Sequence, residues 1–210
     1  MVPYIVRRGD YLVKLGFVHG FDADEVWNDP KNDSVRALRK DHNILAPGDV
    51  VYVPIARKEG LPITKGITNR YTATVPKVDV TLVFNDVSGP LGNEPFEVRG
   101  CAVDGEPKTD GDGRLTVKVA VTVREIEVLF PERHLSFLVR VGDMDPAAEP
   151  SGVRKRLENL GFLAPPASQL DDSEDALRGA ISSFQGANGI EPTGTLDDAT
   201  RDALVSKHKL

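Results

Sequence analysis

Cysteine is almost missing from this sequence: 210 residues contain one, Cys101. A lone cysteine excludes a disulfide framework and any zinc site built from several thiolates. Large side chains are also scarce, with one Trp, two Met and aromatics at 6%. The 40% apolar fraction is that of a globular chain, but so few bulky residues favour several small modules over one deep core. No stretch is basic. Lys and Arg number 7 against 8 acidic residues up to Ala56, 12 against 13 from Arg57 to Met144, and 7 against 11 beyond, for a net charge of −6. Nucleic-acid binding needs a cationic face, so nucleic acid is not expected as a partner. No apolar run approaches the ~18 residues that span a bilayer, so membrane insertion is not expected. The first residues, Met1–Leu12, have no apolar core of signal-peptide length and no small-residue cleavage site. Export, if it occurs, is expected to use another route.

What is present changes character twice along the chain. Residues 1–56 mix short strand and helix signals. Arg57–Arg70, with Gly60, Pro62 and Gly66, has no period and reads as a linker. Residues 71–142 are rich in Val and Thr, and the candidate strands are Val78–Phe84, Phe96–Ala102, Leu115–Val121, Glu125–Leu129 and Ser136–Val141. Their spacing predicts an all-β sandwich. Residues 143–150, with three acidic residues and two prolines, read as a second linker, and residues 151–210 are helical. The expected fold is therefore multidomain α+β, three modules without an internal repeat.

In the first module, Tyr4–Val6 is a β-prone run and Asp10 is placed to cap a helix carrying Leu12, Leu15 and Gly16. Asp22 is placed to cap a second helix over Ala23–Trp27, and Val50–Val53 can pair with Tyr4–Val6. The pattern predicts strand, helix, helix, strand. Tyr4-x-Val6-x-x-Gly9-Asp10-x-Leu12, followed by Leu45-x-Pro47-Gly48-Asp49-x-Val51-x-Val53-Pro54, resembles the LysM domain. That resemblance implies binding of N-acetylglucosamine polymers such as peptidoglycan and chitin. It places the sugar groove between Asp10, Tyr11 and Leu12 on one loop and Asn43, Ile44 and Leu45 on the other. Tyr11 is the expected exposed platform for a sugar ring, whereas Trp27 reads as core. One departure is Pro30–Lys40, which inserts a further helix close to the groove.

In the middle module, Asp86-x-x-Gly89-Pro90-Leu91-Gly92-Asn93-Glu94-Pro95-Phe96 makes a long turn and Thr109-Asp110-Gly111-Asp112-Gly113 a tight one. This layout is similar to transthyretin-like or carboxypeptidase-regulatory-like sandwiches, which also occur beside spike and effector proteins of type VI secretion systems. Asp110 and Asp112 do not make a calcium loop: position 12 counted from Asp110 is Val121, and the context is strand. Cys101 follows Gly100, as the nucleophile does in peptidoglycan L,D-transpeptidases, but His42 and His134 are distant in sequence. It reads as a buried strand thiol. His19, His42, His134 and His208 fall in no metal-binding spacing, and no cofactor is expected.

The last module shows one apolar face on Val153, Leu157, Leu160 and Phe162, and another on Ala176, Leu177, Ala180, Ile181 and Phe184. Asp172 or Ser173 would cap the second helix and Thr195 the third, whose inner face would be Ala199, Ala203 and Leu204. Val153-x-x-x-Leu157-x-x-Leu160-Gly161-Phe162, Ala180-Ile181-x-x-Phe184-Gln185-x-x-Asn188-Gly189-Ile190 and Thr193-Gly194-x-Leu196-Asp197-x-x-Thr200-x-x-x-Leu204 resemble the three-helix peptidoglycan-binding domain of wall hydrolases. Where that family commonly has Asp before its second Gly, this chain has Thr193. Gln185, Asn188 and Thr193 either meet a glycan or stem peptide or cap the helix end and turn.

The two resemblances imply a non-catalytic protein with peptidoglycan glycan strands as partner, linked modules raising avidity. No Ser-His-Asp set or metal cluster marks an enzyme. The rival expectation is an adaptor in a contractile injection or phage-tail machine, partnered by a secretion spike, tail protein or effector. On either reading the chain is cytoplasmic until a non-standard route delivers it to the periplasm and cell wall.

Overall fold

The computed structural model describes residues 1–55, 62–72, 74–86, 89–163 and 173–208. Part of the Arg57–Arg70 linker and the alternative cap Asp172 lie outside them. The architecture is mixed α+β, with small antiparallel sheets and short helices around three separate clusters of buried apolar side chains.

In the N-terminal region, β1 (Val2–Ile5) pairs antiparallel with β2 (Val50–Val53), placing Tyr4 opposite Val51. Between them run α1 (Leu12–His19), α2 (Ala23–Trp27) and, in the inserted segment, a 3-10 turn (Pro30–Asn32) leading into α3 (Asp33–Leu38). Asp22 caps α2, its carboxylate accepting from Glu25 N at 2.9 Å. Asp10 does not cap α1. Its carboxylate instead accepts from Arg7 N at 3.0 Å and from the Tyr4 hydroxyl at 2.8 Å, which holds the turn before the helix. The insertion is part of the core because of Asn32, which is fully buried. Its amide donates to Val26 O and Tyr52 O, and its oxygen accepts from Tyr52 N, so both ends of the side chain are satisfied.

The middle region holds β3 (Lys77–Val83) paired with β7 (Arg114–Ala120), and a sheet of order β6 (Glu97–Arg99), β8 (Glu125–Phe130), β9 (Leu135–Arg140). A two-residue ladder, β4 (Asn85–Asp86) with β5 (Gly89–Pro90), lies within the long turn. Alternate residues of β7 (Leu115, Val117, Val119) and β8 (Ile126, Val128, Phe130) point into one apolar cluster with Phe84 and Phe96, as the two-residue period of a strand requires. The strand expected over Phe96–Ala102 is shorter. Gly100 at φ +100° turns the chain out of the ladder, so Cys101 sits past the strand end and is half-buried.

The C-terminal region is three helices, α4 (Pro150–Asn159), α5 (Glu174–Ala187) and α6 (Asp198–His208), around Val153, Leu157, Ile181, Phe184 and Leu204. Ser173 caps α5 by accepting from Ala176 N at 3.1 Å. Thr195 does not cap α6. Asp197 does, accepting from Thr200 N at 2.7 Å; the Thr200 hydroxyl first, and this N–H second, hold its carboxyl below the usual range. Starting the helix there sets its inner face on Thr200, Leu204 and His208, one residue per turn, and leaves Ala199 exposed. Gly152 is required where α4 crosses the preceding loop, since a Cβ there would meet Pro146 O at 2.0 Å.

Candidate functional site

The two loops expected to form a sugar groove do lie together. Leu12 N donates to His42 O at 3.0 Å and Val13 N to Asn43 Oδ1 at 3.4 Å. These contacts use the kind of donor and acceptor that an acetamide would need. Leu12 and Leu45 are core, 0% and 4% exposed. Asn43 N donates to Asp41 Oδ1 at 2.7 Å, and Ile44 is half-buried.

Tyr11 is the clearest correction. It is 3% exposed rather than an open platform. A Cβ on Gly142 would lie 2.8 Å from its Cδ1, so the ring packs flush against this glycine of the middle region. Its hydroxyl is 3.5 Å from Val121 O, and burial pushes the phenol up to about 12. An aromatic ring beside a second module buries more area there than in water, and nothing within residues 1–56 discloses that neighbour.

Of the two roles expected for Gln185, the hydrogen bonds inside the fold fit the capping of the turn. Gln185 is fully buried at the exit of α5. Its amide nitrogen donates to Thr195 O at 2.9 Å and Thr200 Oγ1 at 3.0 Å, and its oxygen accepts from Gly194 N at 2.9 Å. The side chain therefore staples the α5–α6 turn to α6. Asn188, half-buried, donates to Phe184 O at 2.8 Å and closes the end of α5. Thr193 is exposed, with its hydroxyl accepting from Thr195 N at 3.1 Å. Elsewhere, the Asp110 carboxylate accepts from Asp112 N and Arg114 N, as a turn residue does. Burial pushes the Cys101 thiol up, with Lys77 opposing, which leaves less of the nucleophilic thiolate.

A set of groups that sequence reasoning missed lines a cleft of about 780 Å³ between the N-terminal region and α4–α6. Arg39, 8% exposed, makes a two-pronged pair with Asp49 at 2.9 Å and reaches Glu149 at 3.0 Å, tying the two sides together. Arg156, 3% exposed, donates through Nη1 to Asp145 O at 2.8 Å and Gly152 O at 2.9 Å. Burial pulls its guanidinium down to about 10, with Asp145 opposing. His208, 7% exposed, is pulled down to about 4 by burial and by the charges of Arg156 and Arg114. One signal was available: Arg156 interrupts the apolar face of Val153, Leu157 and Leu160 at helical spacing.

Among the described residues, no group of three or more His, Cys, Asp or Glu side chains is placed to hold a metal ion, and no helix is long and apolar enough to cross a membrane. Comparison with known proteins gives no match among curated proteins and none among solved structures. Residues 148–204, which span α4 through most of α6, match the family model of the putative peptidoglycan binding domain, and this supports peptidoglycan as a partner of the chain.

Proposed function

We propose that this protein is a non-catalytic peptidoglycan-binding protein that anchors or targets a partner to the bacterial cell wall. The observation that carries the reading is the match of residues 148–204 to the putative peptidoglycan binding domain. The pairing of β1 with β2 around α1 and α2, with α3 inserted before β2 and with LysM-like sequence ends, is in keeping with a second glycan-binding module in the same chain. Two weak modules on one chain gain affinity through effective concentration. The test is co-sedimentation of the full chain with purified insoluble peptidoglycan, followed by assay of the supernatant. The chain should sediment, and neither reducing ends nor free stem peptides should rise above a control without protein. A chain that stays in solution overturns the wall reading; released fragments overturn the non-catalytic one.

A second reading is an adaptor that holds a secretion spike, tail protein or effector and reaches the periplasm with it. In its favour, the N-terminal loops are occupied by contacts within the chain, while Ile5, paired in register with Val50, is exposed beside it. Co-purification with such a partner, undiminished when the chain is saturated with chitin oligomers, would favour this reading for the N-terminal region.

A further inference from the structure

We propose that the cleft between the N-terminal region and α4–α6 binds a short peptide with free carboxylates, of the kind that peptidoglycan stems carry, with Arg156 and His208 as its floor. The proposal rests on the wall-binding reading and names the part of the wall polymer recognised.

Arg156 is the first reason. A buried guanidinium offers five donors and demands an anion, yet the partners of Arg156 are backbone carbonyls, and it makes no ion pair among the described residues. The other cations at the cleft are partnered by carboxylates: Arg39 by Asp49 and Glu149, Arg201 by Asp198 at 3.1 Å, Lys40 by Asp202 at 3.7 Å. Arg156 thus differs from its neighbours in having no carboxylate at ion-pair distance among the described residues, Asp145 acting on it through its charge alone.

His208 is the second. The Asn159 amide nitrogen lies 2.9 Å from its Nε2. With that amide donating, the neutral ring carries its hydrogen on Nδ1, and Nδ1 is buried with no hydrogen-bond partner among the described residues. Arg201 Nε is in the same position. Buried donors without acceptors are rare in folded proteins, and here two accompany an unpaired guanidinium around one cleft.

Shape and chemistry agree with a peptide rather than a lone ion. The volume of about 780 Å³ falls within the ~300–1,000 Å³ usual for ligand sites and exceeds what a single anion fills. Leu38, Ile44, Pro146, Ala147 and Val205 form apolar walls suited to alanine methyls. Asp41, which is exposed, also lines the cleft, so a free amine on the same peptide would find a carboxylate there. A ligand carrying both charges fits better than a simple polyanion.

The experiment titrates the full chain with the tetrapeptide L-Ala-γ-D-Glu-meso-diaminopimelate-D-Ala, with its fully amidated form, and with inorganic phosphate, reading side-chain NMR signals of Arg156, Arg201 and His208. Expected are shifts of these signals with the tetrapeptide, none with the amidated form, and weak or no response to phosphate. Val205→Glu, at an exposed position on the rim, should weaken tetrapeptide binding by about tenfold through repulsion of the carboxylates, and Arg201→Gln by less. Neither depends on removing Arg156, whose loss also frees two backbone carbonyls. Co-sedimentation with intact peptidoglycan and with glycan strands stripped of stems separates this proposal from the reading beneath it. Weaker sedimentation with stripped strands supports the cleft. Equal sedimentation with both, and a silent tetrapeptide, overturns the cleft and leaves wall binding standing. No sedimentation with either overturns the wall reading. Phosphate binding as well as the tetrapeptide shows an unselective anion site and overturns the peptide assignment.

Discussion

Gln185 and Arg156 lie on neighbouring helices of one three-helix region, and both are buried. Around Gln185 the polar groups close on one another: both ends of the amide are bonded to the α5–α6 turn and to Thr200. Around Arg156 they do not, since the guanidinium has only carbonyls, and His208 Nδ1 and Arg201 Nε have no partner among the described residues. Both kinds of residue look equally polar in a sequence. The difference teaches where to look for a ligand: a polar side chain whose hydrogen bonds are complete inside the fold holds structure, whereas one with donors to spare at the wall of a cleft is open to a ligand.

The sharpest way to break this comparison is Gln185→Leu. It strands Gly194 N, Thr195 O and Thr200 Oγ1, and should cost the C-terminal helices about 4 kcal/mol, read by amide hydrogen exchange across α4–α6. A cost below ~1 kcal/mol would mean that water replaces the amide and that the staple is not structural.

His208 tests the other face through pH. Its ring titrates at about 4 when folded, below the ordinary 6.5, so in that window the unfolded chain takes up a proton that the folded one refuses. The stability of the neutral buried ring is therefore fully present above pH ~6.5 and is lost as pH falls toward 4, by about 3 kcal/mol in all. Chemical denaturation at pH 7 and pH 4 should show this loss, and His208→Gln should remove most of the difference between the two pH values. An unchanged difference in the variant would assign the acid sensitivity to other groups.

Tyr11 extends the comparison to the N-terminal region, where it belongs with Gln185. Tyr11→Ala should open a gap against Gly142 and lower stability by about 3 kcal/mol, seen as a fall in Tm. An unchanged Tm with weaker chitin-oligomer binding would restore the ring as a sugar platform. The smallest effect is expected for Asn188→Ala, about 1 kcal/mol from the lost bond to Phe184 O, with co-sedimentation on peptidoglycan unaltered. Loss of sedimentation without loss of stability would return Asn188 to the ligand-binding set.

Much was legible from local patterns because the forces involved are local. The cap Asp22, a cap at Asp172 or Ser173, the helix over Ala23–Trp27, the inserted helix after Pro30 and the alternation of β7 and β8 each depend on residues a few positions apart. Local pattern failed where two candidates competed for one role. Asp10 lost the cap position because the Tyr4 hydroxyl and Arg7 N bind its carboxylate, and Thr195 lost to Asp197 two residues on, which shifted the inner face of α6 to Thr200 and His208.

By itself, then, the sequence determined the mixed α+β composition, the order of short elements and the three-helix pattern that the family match at residues 148–204 reflects, since helical and strand periods are written residue by residue. Tertiary structure alone decided which polar side chains are complete and which are not. Gln185 is closed by a turn about ten residues away, Tyr11 by a glycine 131 positions on, and the cleft joins Arg39 to Glu149 across 110. Hydrogen-bond completeness is a property of contacts between distant segments, so no window along the chain contains it.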